Sequence, residues 1–147
     1  MNNNELDNLS LKLFIVLSRA TREITNKVEA DIKTYGLNPT EFAVLELLYH
    51  KGDQPIQKIG KKVLLTSGSI TYVVDKLEKK HLLHRKSCPK DRRVTFATIT
   101  EKGTHLMASI FPVHKAAIED IFSGLNNEEK TEVIELLKKL GYYAKSL

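Results

Sequence analysis

The chain is poor in the residues that staple, kink or break a fold. It has one cysteine, Cys88, in 147 residues, so no internal disulfide can form, which fits a reducing compartment. It has no tryptophan and only five phenylalanines and five tyrosines, so aliphatic side chains must dominate the core. With four prolines and seven glycines, the breaks between elements are few and each is informative. No apolar run approaches the roughly 20 residues needed to cross a bilayer, which argues against a membrane protein. The first residues, MNNNELDN, are polar and acidic, unlike a secretory signal. No glycine-rich phosphate loop, internal repeat or low-complexity tract is present. These features, with 41% apolar and 28% charged residues, describe a cytoplasmic globular protein of one compact domain.

The net charge is +5, and its distribution is uneven. Between Lys51 and Lys102 there are 13 basic and 5 acidic residues, a net of +8, and the remainder nets −3. A basic segment inside a near-neutral chain is the electrostatic footprint of a polyanion-binding surface, although a merely solvated face is the bland reading of any charge run. That segment also carries a motif. Thr66 or Ser67 can cap a helix reaching Lys80, with Ile70, Val73, Val74 and Leu77 at helical spacing. Its other face presents Ser67, Ser69, Thr71, Tyr72 and Lys76, mostly short hydrogen-bonding groups suited to the edges of base pairs in a major groove. Two strand-like runs follow, Leu82–Lys86 and Val94–Ile99, joined by a turn bearing Lys90, Asp91, Arg92 and Arg93.

The other elements surround this segment. Residues 9 to 34 read as a long helix whose apolar stripe (Leu9, Leu13, Leu17, Ala20, Ile24, Val28), widened by Phe14, Val16 and Ile32, is broad enough to pack on more than one side. Gly36 should end it. Asn38-Pro39-Thr40-Glu41 has the form of a capping box and starts a helix stopping at Gly52. A short helix is expected over Pro55 to Leu64, with the bend to the next helix near Leu65, and Lys58, Lys61 and Lys62 suit phosphates. Thr100 opens a second long helix, in which Pro112 predicts a kink and Gly124 a break. Asn126 caps a terminal helix over Asn127 to Ser146, lined by Val133, Ile134, Leu136, Leu137, Leu140 and Tyr143. The expected fold is mainly α with a small two-stranded β wing, a winged helix-turn-helix flanked by long helices.

In this order of elements the sequence resembles the MarR family of bacterial transcriptional regulators over nearly its whole length. The resemblance rests on LNPTEFAVLELL at 37 to 48, SGSITYVVDKLEKKHLLHR at 67 to 85 and DRRVTFATITEKG at 91 to 103. The last holds the Asp-x-Arg wing signature as Asp91 and Arg93, then the Thr-x-x-Gly that opens the next helix. The resemblance implies a DNA-binding lobe over residues 37–100, with dimerisation helices over 1–36 and 101–147. It implies a homodimer on a palindromic duplex operator, acting as a repressor, with a helix in each major groove and a wing along the minor groove. Ser67, Ser69, Thr71, Tyr72 and Lys76 would then face bases and nearby phosphates, although Tyr72 could equally be an anchor packed on the helix behind it. Arg93 would enter the minor groove, oriented by Asp91, and Arg85, Lys86, Lys90 and Arg92 would neutralise backbone phosphates. A turn-closing Asp91–Arg93 bridge without DNA contact is the plainer alternative.

Many such regulators are released by a small aromatic or phenolic compound, and some by oxidants or electrophiles. For the first, Phe14, Ser18, Phe42, Met107 and Phe111 are candidate lining residues, each equally readable as core. For the second, matching on Arg22-Glu23 puts Phe14 where peroxide sensors of the family carry cysteine, with Ser18 and Val28 at the helping positions. Cys88 lies in the wing, where oxidation would disturb DNA binding, but an incidental cysteine explains it better. The pairs His81/His84 and Glu101/His105 could each share a helical face, yet lack the further ligands of a metal site. Cys88 with His84 is the only nucleophile–base pair worth naming, and it has no oxyanion-hole motif beside it. No enzyme activity, metal or cofactor is expected. The competing function is an effector-independent winged-helix protein that shapes DNA or acts through a protein partner.

Overall fold

A computed structural model describes residues 3–63 and 67–147, with side chains from 8–63 and 69–147. The expected cap at Thr66, the bend near Leu65, the inward Leu64 and the Ser67 side chain lie outside the described residues.

The elements follow the caps written into the sequence. Helix α1 (Asn3–Lys33) closes through Gly36 at φ 77°, a left-handed position that glycine adopts without strain. Helix α2 (Pro39–Lys51) opens with the complete capping box: Asn38 Oδ1 accepts from the Glu41 amide at 2.7 Å, and Glu41 Oε1 accepts from the Asn38 amide at 3.1 Å. It ends at Gly52, φ 79°. A two-residue strand β1 (Gln54–Pro55) and helix α3 (Ile56–Lys62) lead to helix α4 (Ser67–Lys79). Strands β2 (Leu83–Ser87) and β3 (Thr95–Ile99) form the wing. Helix α5 (Glu101–Ile121) runs on continuously through Pro112 and ends at Phe122, before Gly124. Asn126 and Glu129 form a second capping box for helix α6 (Asn127–Ser146).

The wing is part of a three-stranded antiparallel sheet of order β1-β3-β2, not the expected two-stranded ribbon. Gln54 pairs with Ala97 and Pro55 with Phe96. Proline, lacking an amide donor, belongs on such an edge. Two residues are too few to show the period of two by which a strand is recognised.

The core gathers at the middle of the chain. Leu45 and Leu48 of α2, Ile59 of α3, Val74 and Leu77 of α4, Leu83 and Ala97 of the sheet and Met107 of α5 are almost fully buried. The first half of α1 and all of α6 lie outside it. Leu9, Leu11, Leu13, Phe14, Ile15 and Val16 are exposed, and α6 has no buried residue although Ile134, Leu136, Leu137 and Leu140 lie along it.

Candidate nucleic-acid interface

Helix α4 turns one face inward and the other to solvent. Ile70, Val73, Val74 and Leu77 are buried, which leaves Ser69, Thr71 and Tyr72 exposed. Tyr72 is 64% exposed, so it does not anchor the helix to its neighbour. Lys76 places its ammonium 5.8 Å from the Tyr72 ring centroid, a cation–π contact that holds the two side chains together on the outer face. A helix with small polar groups near its axis and one aromatic–cation pair can sit deep in a major groove and offer donors and acceptors to base edges.

The wing tip is a tight turn between β2 and β3. It is closed by Cys88 N–H to the Val94 carbonyl at 3.0 Å and Val94 N–H to the Asp91 carbonyl at 3.1 Å. Asp91 Oδ1 accepts from the Arg93 amide at 3.0 Å and from Arg93 Nε at 3.2 Å, so one carboxylate shapes the turn and aims the guanidinium. The Arg93 bond, from side chain and then backbone, holds the Asp91 carboxyl below its ordinary value. Arg93 itself is 92% exposed, and Lys86, Lys90 and Arg92 around it are exposed too. This is a cationic finger whose reach is set by the turn. On the facing flank Lys58 and Lys61 of α3 are exposed, while Lys62 donates to Gln54 Oε1 at 2.9 Å.

Arg85, expected to neutralise a backbone phosphate, is engaged within the chain. Its guanidinium is taken up by two carboxylates of α4: Nη2 donates to Asp75 Oδ1 at 2.5 Å and Nη1 to Glu78 Oε1 at 2.8 Å. Burial disfavours its charge, but the bonds to Asp75 and Glu78 outweigh that and raise its proton affinity. A guanidinium already matched by two anions has little charge left for a phosphate.

Three contacts fix α4 and the wing on the helices behind them. Glu41, 2% exposed, serves its own capping box and accepts from Lys80 Nζ through Oε2 at 2.7 Å. Burial pushes its carboxyl up, yet Lys80 and the Asn38 amide lower it further, so the net shift is downward. After α4, His81 takes a left-handed conformation at φ 61°, with the His81 amide bonded to the Glu78 carbonyl and the Leu82 amide to the Leu77 carbonyl. This is a Schellman closure with histidine where glycine is usual. The turn puts His84 on a strand, so His81 and His84 do not share a helical face. Finally, Thr100 Oγ1 donates to the His81 carbonyl at 2.6 Å and accepts from the Gly103 amide at 3.0 Å. Gly103 lies directly against the Leu82 carbonyl, where no Cβ fits. The Thr-x-x-Gly signature is thus the joint between wing and α5.

The five candidate effector-lining residues do not meet within one chain. Phe42 and Met107 are core, and Phe111 is half-buried. Phe14 and Ser18 are exposed on α1, roughly 20–25 Å along the helix from Asp31, at 1.5 Å per residue. Asp31 marks the place where Phe42 packs. Its Oδ2 lies 2.8 Å from His114 Nδ1 and its Oδ1 accepts from the Tyr35 hydroxyl at 2.7 Å, and Phe42 lies 4.5 Å from the His114 ring. Burial, then the bond to Asp31 and its charge, push the Tyr35 hydroxyl up to about 12. Phe111, His50 and Tyr49 continue this aromatic cluster. Histidine and aspartate 83 residues apart carry no sequence signal of their own, so only the fold reveals this junction of α1 with α5.

Comparison with known proteins accounts for the arrangement. The model for the MarR family matches residues 37–95, the stretch from the α2 cap to the start of β3. The transcriptional regulator MhqR of Bacillus subtilis is 64% identical over 136 residues, 92% of this chain and 94% of that protein. The chain belongs to the MarR family. The uncharacterized regulator YkoM of the same organism is 43% identical over 99% of this chain and 94% of its own length. Among solved structures, AbsC of Streptomyces coelicolor superposes with a TM-score of 0.81 at 22% identity, covering 100% of this chain and 98% of that one. Sco3205 from the same organism, solved in complex with DNA, gives 0.80 at 20% identity, covering 96% and 91%. BpsR of Bordetella bronchiseptica, whose DNA binding is regulated by 6-hydroxynicotinic acid, gives 0.76 at 25% identity, covering 86% and 90%. This MarR family protein is a DNA-binding transcriptional regulator and not an enzyme. Among the described residues, no helix is long and apolar enough to cross a membrane.

Proposed function

We propose that this MarR family regulator is a homodimeric repressor of a short palindromic operator, released by a small aromatic, phenolic or electrophilic effector. The observation that carries the dimer is the uncovered apolar surface. Six apolar residues exposed among the eight from Leu9 to Val16 of α1 call for a cover, and α6 has no buried residue within its own chain. Two copies sharing α1, α5 and α6 would cover both surfaces and present two α4 helices on one side. In this reading Ser69, Thr71, Tyr72 and Lys76 face one major-groove segment. Arg93, aimed by Asp91, enters the flanking minor groove, and Lys86, Lys90 and Arg92 meet phosphates. For the effector, the support is the aromatic junction of Phe42, Phe111, His114 and Tyr49 between α1, α2 and α5, together with the hydroxylated aromatic acid that regulates BpsR.

The deciding experiment is selection of bound duplexes from random DNA, with sedimentation to give the stoichiometry. A two-fold symmetric consensus with an A·T-rich flank, bound by a dimer, supports the proposal. Binding without a consensus, lost steeply with salt, would point to an architectural protein. Leu137→Glu on α6 should dissociate the dimer and abolish operator binding, while Arg93→Ala should weaken binding in an intact dimer.

A further inference from the structure

The acidic residues Asp75 and Glu78 lie in the most basic part of the chain, on the helix that carries the exposed polar face. Each repels phosphate, and with Arg85 the trio nets one negative charge, so as a DNA-binding surface it works against affinity. Its geometry points elsewhere. Glu78 uses both oxygens on one residue: Oε1 accepts from Arg85 Nη1 at 2.8 Å and Oε2 from the Arg85 backbone amide at 3.1 Å. Asp75, one turn earlier on the same face, takes the other arm of the guanidinium. Strand β2 is therefore held to α4 by its main chain and by its side chain at a single point. That point lies midway between the His81 turn, where the strand leaves α4, and the tip that carries Arg93. The Arg85 side chain is 29% exposed, more shielded than either of its carboxylate partners.

A winged helix engages two grooves at once, so its affinity depends on the angle between helix and wing. The β2–β3 ladder holds the wing together, β1 and the Thr100–Gly103 joint seat its base, and Arg85 is where β2 is tied to the side chains of α4. We propose that Asp75, Glu78 and Arg85 form a brace that sets the wing against α4, so that operator affinity depends on two carboxylates that repel DNA. Arg85 is then a positioning residue. Lysine could not replace it, because one ammonium lacks the planar fork that spans two carboxylates. The inference rests on the two-groove reading proposed above.

The test uses the full-length dimer and exploits an electrostatic paradox. The double variant Asp75→Asn/Glu78→Gln removes two negative charges per subunit, and Arg85→Lys keeps the cation but loses the fork. Affinity for the selected operator and for a scrambled duplex of equal length is measured over a salt series. A nitroxide on Cys88, the only cysteine, reports wing mobility without DNA. The brace predicts that both variants lose operator affinity by on the order of tenfold while the scrambled duplex is bound as well or better. The Cys88 spectrum should become more mobile in both, with helix content unchanged. Operator binding that tightens in the double variant, or is unaltered in Arg85→Lys, overturns the proposal. So does Arg85→Met lowering the salt slope by about one with an unchanged spectrum, the mark of a direct phosphate contact. The single variant Glu78→Gln serves if the double variant does not fold. A wild-type protein that selects no sequence defeats the operator reading instead, and the Cys88 comparison still decides the brace.

Discussion

Gly103→Ala sets two effects of opposite sign against each other. Gly103 is in the first turn of α5, where alanine should gain about 1 kcal/mol over glycine from helix propensity alone. At this position, however, a Cβ would collide with the Leu82 carbonyl oxygen and stand 2.8 Å from Ile99 Cγ1 and 3.2 Å from the Leu82 carbonyl carbon. Restoring ordinary carbon–oxygen separation needs α5 to withdraw by roughly 1 Å. That movement strains three bonds at the joint: Thr100 N–H to the Leu82 carbonyl at 3.1 Å, Thr100 Oγ1 to the His81 carbonyl at 2.6 Å, and Gly103 N–H to Thr100 Oγ1 at 3.0 Å. Overpacking costs about 1–3 kcal/mol and each weakened bond up to about 1 kcal/mol, so the net loss should be about 2–3 kcal/mol after the propensity gain. At fixed protein concentration this corresponds to a fall in Tm of about 5–10 °C, read by calorimetry or by circular dichroism at 222 nm. An unchanged or raised Tm would refute the close approach of α5 to the wing and leave the glycine as ordinary helix sequence.

Three further outcomes are expected. His81→Gly should stabilise the protein by about 1 kcal/mol, because the left-handed turn at φ 61° strains any residue with a Cβ, and a lower denaturation midpoint would contradict the Schellman closure. Glu41→Gln should cost about 2 kcal/mol in urea denaturation by weakening the bond to Lys80 and half of the capping box. Because the Glu41 carboxyl is lowered in the folded state, its contribution is present above the ordinary value of 4.5 and is lost as pH falls through the lower folded value. The variant's stability should therefore vary less with pH in that range, and parallel profiles would be evidence against the pair. Tyr35 is shifted the other way, so its contribution is full below pH 10 and is lost as pH rises towards about 12. Tyr35→Phe should remove that alkaline decline and the latest-titrating phenolate absorbance, and an unchanged titration would exclude the bond to Asp31.

How far the sequence could be read depended on the chain distance over which each feature is specified. The caps of α2 and α6 lie within three residues of their partners, so Asn38 with Glu41 and the cap at Asn126 were legible as letters. Glycine at 36 and 52 marked helix ends for the same local reason. The outward face of α4 followed from the spacing of Ile70, Val73, Val74 and Leu77, and the Asp91–Arg93 pair from a separation of two residues. Glycine at 103 could be matched to a signature, but not to the carbonyl twenty-one residues earlier that excludes a Cβ.

What the tertiary structure alone decided was the use of each charge and the wetness of each apolar face. In the sequence Arg85 is one more cation in a basic run. Only the return of β2 along α4 brings it between Asp75 and Glu78 and gives this candidate phosphate contact two carboxylate partners. Phe14 and Phe42 are both aromatic residues on amphipathic helices, yet one is exposed and the other walled in. Helical periodicity says that a face is apolar and not what will cover it. The His114–Asp31–Tyr35 chain and the strand at Gln54–Pro55 arise where segments distant in sequence meet. Local hydrogen-bonding chemistry thus set where the helices begin and end, while packing between distant segments decided which side chains remain available to DNA.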